Sequence, residues 1–533
     1  MNAAEYIASV LKENGIEYVF GYQGGNITYV IDAVSRTDGI SYVQTYQEQG
    51  AAFAANAYAQ VSGKFGVAVS SSGPGAINLI NGVANAYYDS IPCLFITGNI
   101  NTASMRESEK IRQNGFQEAD IVSMVSGITK YAVTVYHAEE IPQILEKALY
   151  EMSAGRPGPV LLDIPHNIQR TEITDAGMFE KPDGGEVHEI EEKQLHLIAE
   201  KLKASQKPVL LLGSGSRGKK SGKLVEDLLE KASIPTVVSL CGKDAISNIH
   251  PCYRGMIGSY GLPYSNRVLN EADFVLALGS RMDERQRTVG ADEFLSHAQV
   301  VHVDIDENEL GHVKKDEIKV NITVERFLEK FLPYMDENFS FDKWLETTKK
   351  WMSDPVPEES WIYGSAVKDQ LIQVLGEVLE DSVVCVDVGN HQMAAAQALN
   401  IGKNSAYLNS AGLGSMGYAL PAALGAYYAA KDKRIVCIAG DGGLMMNLQE
   451  LQVIAREKIP MIIIVINNQG LGMIENYQNL AFAGRLYGSR WGYMAADFER
   501  ISAAFGIRYE KENITENSKV LNENQPVLVE IEV

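Results

Sequence analysis

The spacing of apolar and polar positions divides the chain into three stretches of short strands and helices. In residues 1–170, Tyr18–Gly21, Ser41–Tyr46, Gly66–Ser70, Pro92–Thr97 and Val160–Ile164 are apolar runs of strand length, separated by helical periodicity. Residues 191–335 repeat the pattern with Pro208–Leu212, Pro235–Leu240, Phe274–Leu278 and Val300–Val303. Residues 361–533 do so again, with Val383–Asp387, Ile435–Ala439, Met461–Ile466 and a closing run Pro526–Val533. Apolar strands alternating with helices predict parallel sheets covered on both faces. The expected fold is therefore α/β, three consecutive doubly wound parallel-sheet domains. Residues 171–190, acidic with Gly-Gly and proline, and 336–360, rich in Trp, Asp, Glu and Pro, lack periodicity and read as linkers.

One unit carries visible chemistry. Asn447–Glu457 reads as a helix between the strands Ile435–Ala439 and Met461–Ile466, a parallel crossover. The first strand ends in Gly440-Asp441-Gly442 and the second in Asn467-Asn468. In open α/β sheets ligands bind at the carboxyl ends of strands. A carboxylate and a carboxamide there are hard oxygen ligands suited to Mg²⁺, which also takes waters and phosphate oxygens. Gly442 and Gly443 let backbone N–H groups approach a phosphate.

Composition narrows the field. A chain of 533 residues is too long for one core. A net charge of −21 argues against nucleic acid or an anionic membrane as partner, since both need basic surface. Five cysteines without CxxC or a His/Cys metal spacing are expected to be reduced thiols. No apolar run reaches the length of a membrane span, and Met1–Gly15 reads as an amphipathic helix with acidic residues rather than a targeting segment. A cytoplasmic protein is expected. Gly213-Ser214-Gly215-Ser216-Arg217-Gly218 is a GxGxxG after a strand, but no acid on a following strand is evident, so an NAD site is not expected.

Asp441 and Asn468, 27 positions apart, opened by GDG and closed by NN, resemble the Mg²⁺–diphosphate motif of thiamine diphosphate enzymes. The three α/β stretches are similar to that family's pyrimidine-binding, central and diphosphate-binding domains, so the resemblance covers essentially the whole chain. It implies that Gly440, Asp441, Gly442 and Gly443 meet the diphosphate, with Asp441, Asn468 and the Gly470 carbonyl as Mg²⁺ ligands. Glu48, in Gln47-Glu48-Gln49-Gly50-Ala51-Ala52, is on its own a carboxylate at a helix start that favours the helix dipole. By resemblance it is the glutamate that activates the aminopyrimidine, whose imino form takes the thiazolium C2 proton.

Further segments resemble the acetolactate synthase branch. Ser72-Gly73-Pro74-Gly75, with Asn78 beyond it, is similar to a cofactor-facing SGPG turn, and Gly21-Tyr22-Gln23-Gly24-Gly25 to a GYPGG loop in which Gly25 faces the reacting carbons. Phe116-Gln117-Glu118-Ala119-Asp120 is similar to a substrate-pocket segment, which implies that Phe116 and Gln117 contact the keto acid. Gly389, Asn390, His391 and Gln392 stand where the family holds the diphosphate; Gly414 and Met416 stand where an apolar residue bends the cofactor. Met473 and Met446 are expected to wall the pocket. Segments around Gly255, Gly279 and Asp304 resemble flavin-contacting loops, which implies FAD in a structural role near Arg281, Arg285 and Asp304.

Four departures bear on the assignment. Gln23 replaces a proline, and Pro165-His166-Asn167-Ile168 stands for Pro-Lys-Asp-Val. Tyr477 takes the place of a tryptophan linked to acceptor choice. The chain ends at the last strand, without the tail that covers the site in typical members, so a more open pocket is expected. The resemblance implies a carboligase that decarboxylates pyruvate and passes the two-carbon unit to a second 2-keto acid. Alternatives are a larger acceptor such as a keto sugar nucleotide, a 2-keto acid decarboxylase, or a non-catalytic cofactor-binding homologue. It also implies a homo-oligomer with the site between subunits, and leaves room for a regulatory subunit.

Overall fold

The computed structural model describes residues 1–108, 110–174, 179–180, 189–288, 290, 293–335, 340–511, 515–518, 521 and 524–533. The first sheet contains β1 (Tyr18–Gly21), β2 (Ser41–Gln44), β3 (Gly66–Ser70), β4 (Cys93–Asn99), β5 (Tyr131–Thr134) and β6 (Val160–Pro165), in the order β2-β1-β3-β4-β6-β5. The central sheet contains β7 (Pro208–Leu212), β8 (Thr236–Val238), β9 (Tyr253–Met256), β10 (Phe274–Leu278), β11 (Gln299–Asp304) and β12 (Ile318–Asn321), in the order β12-β11-β10-β7-β8-β9. A two-stranded ladder joins β13 (Val378–Leu379) to β15 (Asn400–Ile401). The third sheet contains β14 (Ser382–Val386), β16 (Ala406–Asn409), β17 (Arg434–Gly440), β18 (Met461–Asn467), β19 (Arg508–Lys511) and β20 (Val527–Glu532), in the order β16-β14-β17-β18-β20-β19. The pairings in all three large sheets are parallel, as in β17 against β18 with Ile435 opposite Met461. Counted within each sheet in chain order, the first and third share one arrangement, 2-1-3-4-6-5. No sequence repeat announced it.

The central strands are buried on both faces, which is why they read as unbroken apolar runs. The first and third domains meet through two small-residue helices, Glu48–Ser62 and Ala419–Ala429. A Cβ at Gly425 would lie 1.9 Å from the Ala54 carbonyl oxygen, so glycine is what permits the close crossing. Phe53 packs edge-on against Tyr418 beside it.

The 171–190 linker falls largely on 175–178 and 181–188, outside the described residues. The 336–360 stretch contains, beyond 336–339, a helix, Asp342–Met352, docked on the central sheet. Its buried Trp344 donates to the Pro208 carbonyl at 3.1 Å, and Thr348 Oγ1 accepts from the buried Arg254 at 2.8 Å. Those two anchors lie one turn apart among Lys and Glu, so the apolar face is too narrow to show as a period. The GxGxxG glycines pack loop against loop: a Cβ at Gly213 would meet the Gly279 carbonyl oxygen at 2.1 Å. Arg217 in the same segment pairs with Asp244 at 2.6 Å and donates to Gln60 Oε1 at 3.0 Å and the Tyr407 carbonyl at 3.3 Å. That arginine ties the central domain to both others. Among the described residues no helix is long and apolar enough to cross a membrane.

Candidate active site

In the third sheet the chain moves from β14 to β16 on one side and then to β17 on the other, a topological switch between β14 and β17. Ligand loops belong at that point. Asp387–His391 and Gly440–Gly443 emerge there, and Asn467-Asn468 closes the adjoining β18. The expected helix after the GDG begins earlier, at Asp441, and breaks at Asn447 before resuming. The Asn447 side chain donates to the Gly417 carbonyl at 2.7 Å, which accounts for the break.

Asp441, Asn468 and Gly470 converge. The end of the Asn468 carboxamide bearing its oxygen lies 2.8 Å from the Gly470 carbonyl and 3.1 Å from Asp441 Oδ1. Turning the amide would make these hydrogen bonds; leaving it sets the Asn468 oxygen near the edge length of an octahedral Mg²⁺ shell from each of the other two, such ligands standing at about 2.0–2.1 Å from the ion. Burial raises the Asp441 pKa, partly offset by the Tyr493 hydroxyl, which donates to Oδ2 at 2.9 Å. Among the described residues no three His, Cys, Asp or Glu side chains cluster for a metal, so this mixed oxygen set is the candidate.

His391 explains two glycines. Its ring lies 2.5 Å from where a Cβ on Gly389 would sit and 2.8 Å from one on Gly440. Burial pushes its pKa down to about 4, and Nε2 has no partner in the protein. Gln392 is fully buried with neither amide atom partnered. Orphaned buried polar atoms are rare unless a ligand or water satisfies them. Asn390, buried beside them, stands close to Gly472 and Asn468.

The Met416 loop is held by Asp387. This buried carboxylate accepts from Gly417 N and Ala419 N, both at 2.9 Å, while burial pushes its pKa up to about 6. The Met416 methyl comes within 3.7 Å of a Cβ position on Gly442. Gly414 has a left-handed φ of +74° with nothing near its Cβ position. Met473 is half-buried at the start of the helix Gly472–Ala481, whereas Met446 is exposed.

Glu48 opens its helix and is 8% exposed. Asn78 donates to its Oε2 at 3.0 Å, from the helix that Pro74 begins. Gly73 precedes that proline with φ +59°, and a Cβ on it would meet the Gln117 carbonyl oxygen at 2.9 Å. Gln117 itself sits at φ +66°. It therefore abuts the SGPG turn, while Phe116 is 87% exposed. The Gly24-Gly25 loop is pinned by Asn26, whose backbone N donates to Ser71 Oγ at 3.2 Å and whose side-chain amide donates to Ser72 Oγ at 2.6 Å.

Four features were not found from sequence. Asn81 and Asn85 share one face of the Pro74–Tyr88 helix with the expected Asn78: Asn81 accepts from Ser415 Oγ at 2.7 Å and Asn85 from Ser410 Oγ at 2.5 Å. The helix thus places Glu48 in register with the Met416 loop. Asp387 read only as a strand end. Glu450 is buried against the Glu48 segment and accepts from Tyr46 N at 3.1 Å. Tyr493 lies in a stretch with no motif. A seeding signal existed only for the asparagines, at helical spacing. Among the described residues no hydrogen bond joins Glu48 to Asp441, Asn468 or Gly470.

The central-domain residues each have partners within the protein. Arg281 pairs with Asp283 at 3.3 Å, Arg285 lies 5.8 Å from the Tyr260 ring centre, and Asp304 Oδ1 accepts from Asp306 N at 2.9 Å. Burial raises the Asp304 pKa. Arg156, from the first domain, bonds Asp306 at 3.0 Å and Glu309 at 2.8 Å. It borders a cavity of about 290 Å³ with Lys130, Ile305, Asp306, Glu307 and Asn321.

Residues 1–124, 195–331 and 387–531 match the N-terminal TPP binding, central and C-terminal TPP binding domains of thiamine pyrophosphate enzymes. Acetolactate synthase large subunit of Lactococcus lactis is 33% identical, over 99% of this chain and 92% of that protein. Acetolactate synthase isozyme 1 large subunit of Escherichia coli is 33% identical over 99% and 93%. Isozyme 2 large subunit of Escherichia coli is 34% identical over 100% and 96%. Three sheets of the expected kind, a switch-point oxygen cluster and these full-length likenesses agree: the chain belongs to the thiamine pyrophosphate enzymes, in the acetolactate synthase-like branch.

Proposed function

We propose that this chain decarboxylates pyruvate and joins the two-carbon unit to a second 2-keto acid, using thiamine diphosphate and Mg²⁺. The convergence of Asp441, Asn468 and the Gly470 carbonyl is the observation that carries the reading. Thiamine diphosphate, when bound, supplies a carbon acid able to hold the charge that decarboxylation leaves. Asp441, Asn468 and Gly470 hold the cation, and Asn390, His391 and Gln392 with Gly440, Gly442 and Gly443 line the diphosphate end. The neutral His391 offers an uncharged nitrogen to that end, and its buried Nε2 supports the fit. Glu48, whose Oε2 accepts from Asn78, would bond the aminopyrimidine of the bound cofactor and exchange a proton with it. Met416 shapes the floor, Met473 a wall, and Gly25, Phe116 and Gln117 the substrate side.

The proposal extends to a homo-oligomer in which a second copy completes the site. Phe116, Tyr477 and Leu480, at 87%, 59% and 87% exposure, are large apolar surfaces near it. A regulatory subunit is proposed from the "large subunit" designation of the relatives. The five free thiols suit a cytoplasmic location. FAD is proposed in a structural role at the central domain near Arg281, Arg285 and Asp304; the solvent-accessible side chains of Arg281 and Arg285 support its phosphate side. Flavin absorbance in the protein purified with its cofactors tests that part.

A second reading, the same donor chemistry with a larger acceptor such as a keto sugar nucleotide, is favoured by the exposure of Tyr477. Product analysis with thiamine diphosphate, Mg²⁺, FAD and pyruvate alone separates them. Acetolactate at steady turnover supports the first reading. CO₂ without acetolactate supports the second, and no CO₂ refutes pyruvate as donor.

A further inference from the structure

The segment Tyr487–Tyr493 folds over the loops that carry the oxygen cluster. Leu471 N donates to the Ser489 carbonyl at 3.0 Å. Arg490 Nη1 donates to the carbonyls of both Asn468, at 2.9 Å, and Gln469, at 3.1 Å, while its Nε pairs with Glu475 at 3.0 Å. The Tyr493 hydroxyl donates to Asp441 Oδ2 at 2.9 Å. Gln478 braces the segment from the helix Gly472–Ala481, donating to the Tyr487 carbonyl at 2.9 Å and accepting from Ser489 Oγ. Trp491 N closes the turn on the Leu486 carbonyl at 2.9 Å, and the Tyr487 and Trp491 rings meet edge to face at 4.9 Å.

The two ligand-bearing loops come from different strands, β17 and β18, and this segment bonds to both. Glycine at 442 is part of the same construction, because a Cβ there would lie 3.1 Å from Tyr493 Oη. Tyr493 and Arg490 also border a cavity of about 470 Å³. The bond to Asp441 orients the phenol hydroxyl. The carboxylate has two oxygens with separate partners, Oδ2 to Tyr493 and Oδ1 toward Asn468.

We propose that Tyr493 is a positioning residue that turns Asp441 Oδ1 toward the cation, and that Arg490 fixes the Asn468–Gln469 backbone in the matching register. Partners that orient a metal ligand typically govern affinity by tenfold or more. The proposal rests on the cation-site reading above and adds residues to it.

Mn²⁺, followed by its electron paramagnetic resonance signal in the presence of thiamine diphosphate, is the probe. Tyr493→Phe keeps the ring and removes only the hydroxyl. It is expected to weaken Mn²⁺ binding about tenfold and to alter the bound-Mn²⁺ line shape, with an unchanged unfolding midpoint. Arg490→Gln is expected to weaken binding in the same direction, which keeps the proposal testable should either variant be unstable. Mn²⁺ affinity and line shape equal to those of the unsubstituted protein in both variants would overturn the proposal and leave the site reading intact. No thiamine diphosphate-dependent Mn²⁺ uptake by the unsubstituted protein, or uptake undiminished by Asp441→Asn, would overturn the site reading and the proposal together.

Discussion

Glu450→Gln tests whether the contact between the third domain and the Glu48 segment is as buried as its geometry shows. The Glu450 side chain is at 0% exposure and accepts from Tyr46 N at 3.1 and 3.3 Å through its two oxygens. A Cβ on Gly50 would lie 2.7 Å from Oε1, so the helix start has closed on the carboxyl group. Burial, with a smaller contribution from the Glu48 charge, pushes its pKa up to about 7 from 4.5, against the backbone N–H groups that hold it down. In a group raised in this way the folded protein keeps a proton that the unfolded chain has lost. Its contribution to stability is fully present below pH 4.5 and is lost as pH rises through about 7. At about 1.4 kcal/mol per pH unit, the interval amounts to about 3 kcal/mol. Glutamine fills the same volume and does not titrate. Urea unfolding of both proteins at a series of pH values gives the quantity needed, the difference between them. Asp89, Asp163 and Asp387, each pushed up to about 6 by burial, titrate in both proteins and cancel from it. The unsubstituted protein should lose about 3 kcal/mol relative to the variant between pH 4.5 and 8. A difference that stays flat across that range would refute the buried, protonated carboxyl.

Gly425→Val should destabilise the contact between the first and third domains by about 1–3 kcal/mol or more, seen as a lowered urea midpoint, since its Cβ would enter the Ala54 carbonyl. Glu48→Gln should lower carboligation at least about a hundredfold while thiamine diphosphate binding, measured by calorimetry, changes little. Asp441→Asn should reduce the Mg²⁺ dependence of that binding, measured the same way, because it removes the one carboxylate of the oxygen set. His391 carries no charge above pH 6, its pKa lying near 4, so His391→Gln should leave the shape of the pH–rate profile unchanged from pH 6 to 8 even where the rate falls.

The doubly buried strands were legible because both faces select the same residues: Phe274–Leu278 and Gly66–Ser70 lie where the apolar runs predict. Three edge strands were not, although Ser41–Gln44, also at an edge, was. Ile318–Asn321, Arg508–Lys511 and Tyr131–Thr134 end their sheets with exposed or half-exposed positions, and their mixed composition resembles a loop. At the site, legibility followed the motif. Asp441 and Asn468 announce themselves through GDG and NN, and the structure sets their oxygens together. Asp387, Glu450 and Tyr493 act through partners thirty to four hundred positions away, and nothing near them in the chain indicates those partners. Phe116 is the converse case: a readable motif whose side chain, in the single chain, is largely exposed.

The shared strand order of the first and third sheets has a bearing on how this molecule can change. Both sheets open their switch point at the same place, after the first and third strands, so the loops at Gly24 and Ser71 occupy one scaffold position and those at Gly389 and Asp441 its counterpart. Uncharged turns of glycine, serine and asparagine fill the first; a carboxylate, a histidine and carboxamides fill the second. Much of the specialisation thus falls on loop positions of two copies of one frame, to which the helices Glu48–Ser62 and Pro74–Tyr88 add Glu48 and Asn78. The frame beneath is constrained where its helices cross, as at Gly425 against Ala54.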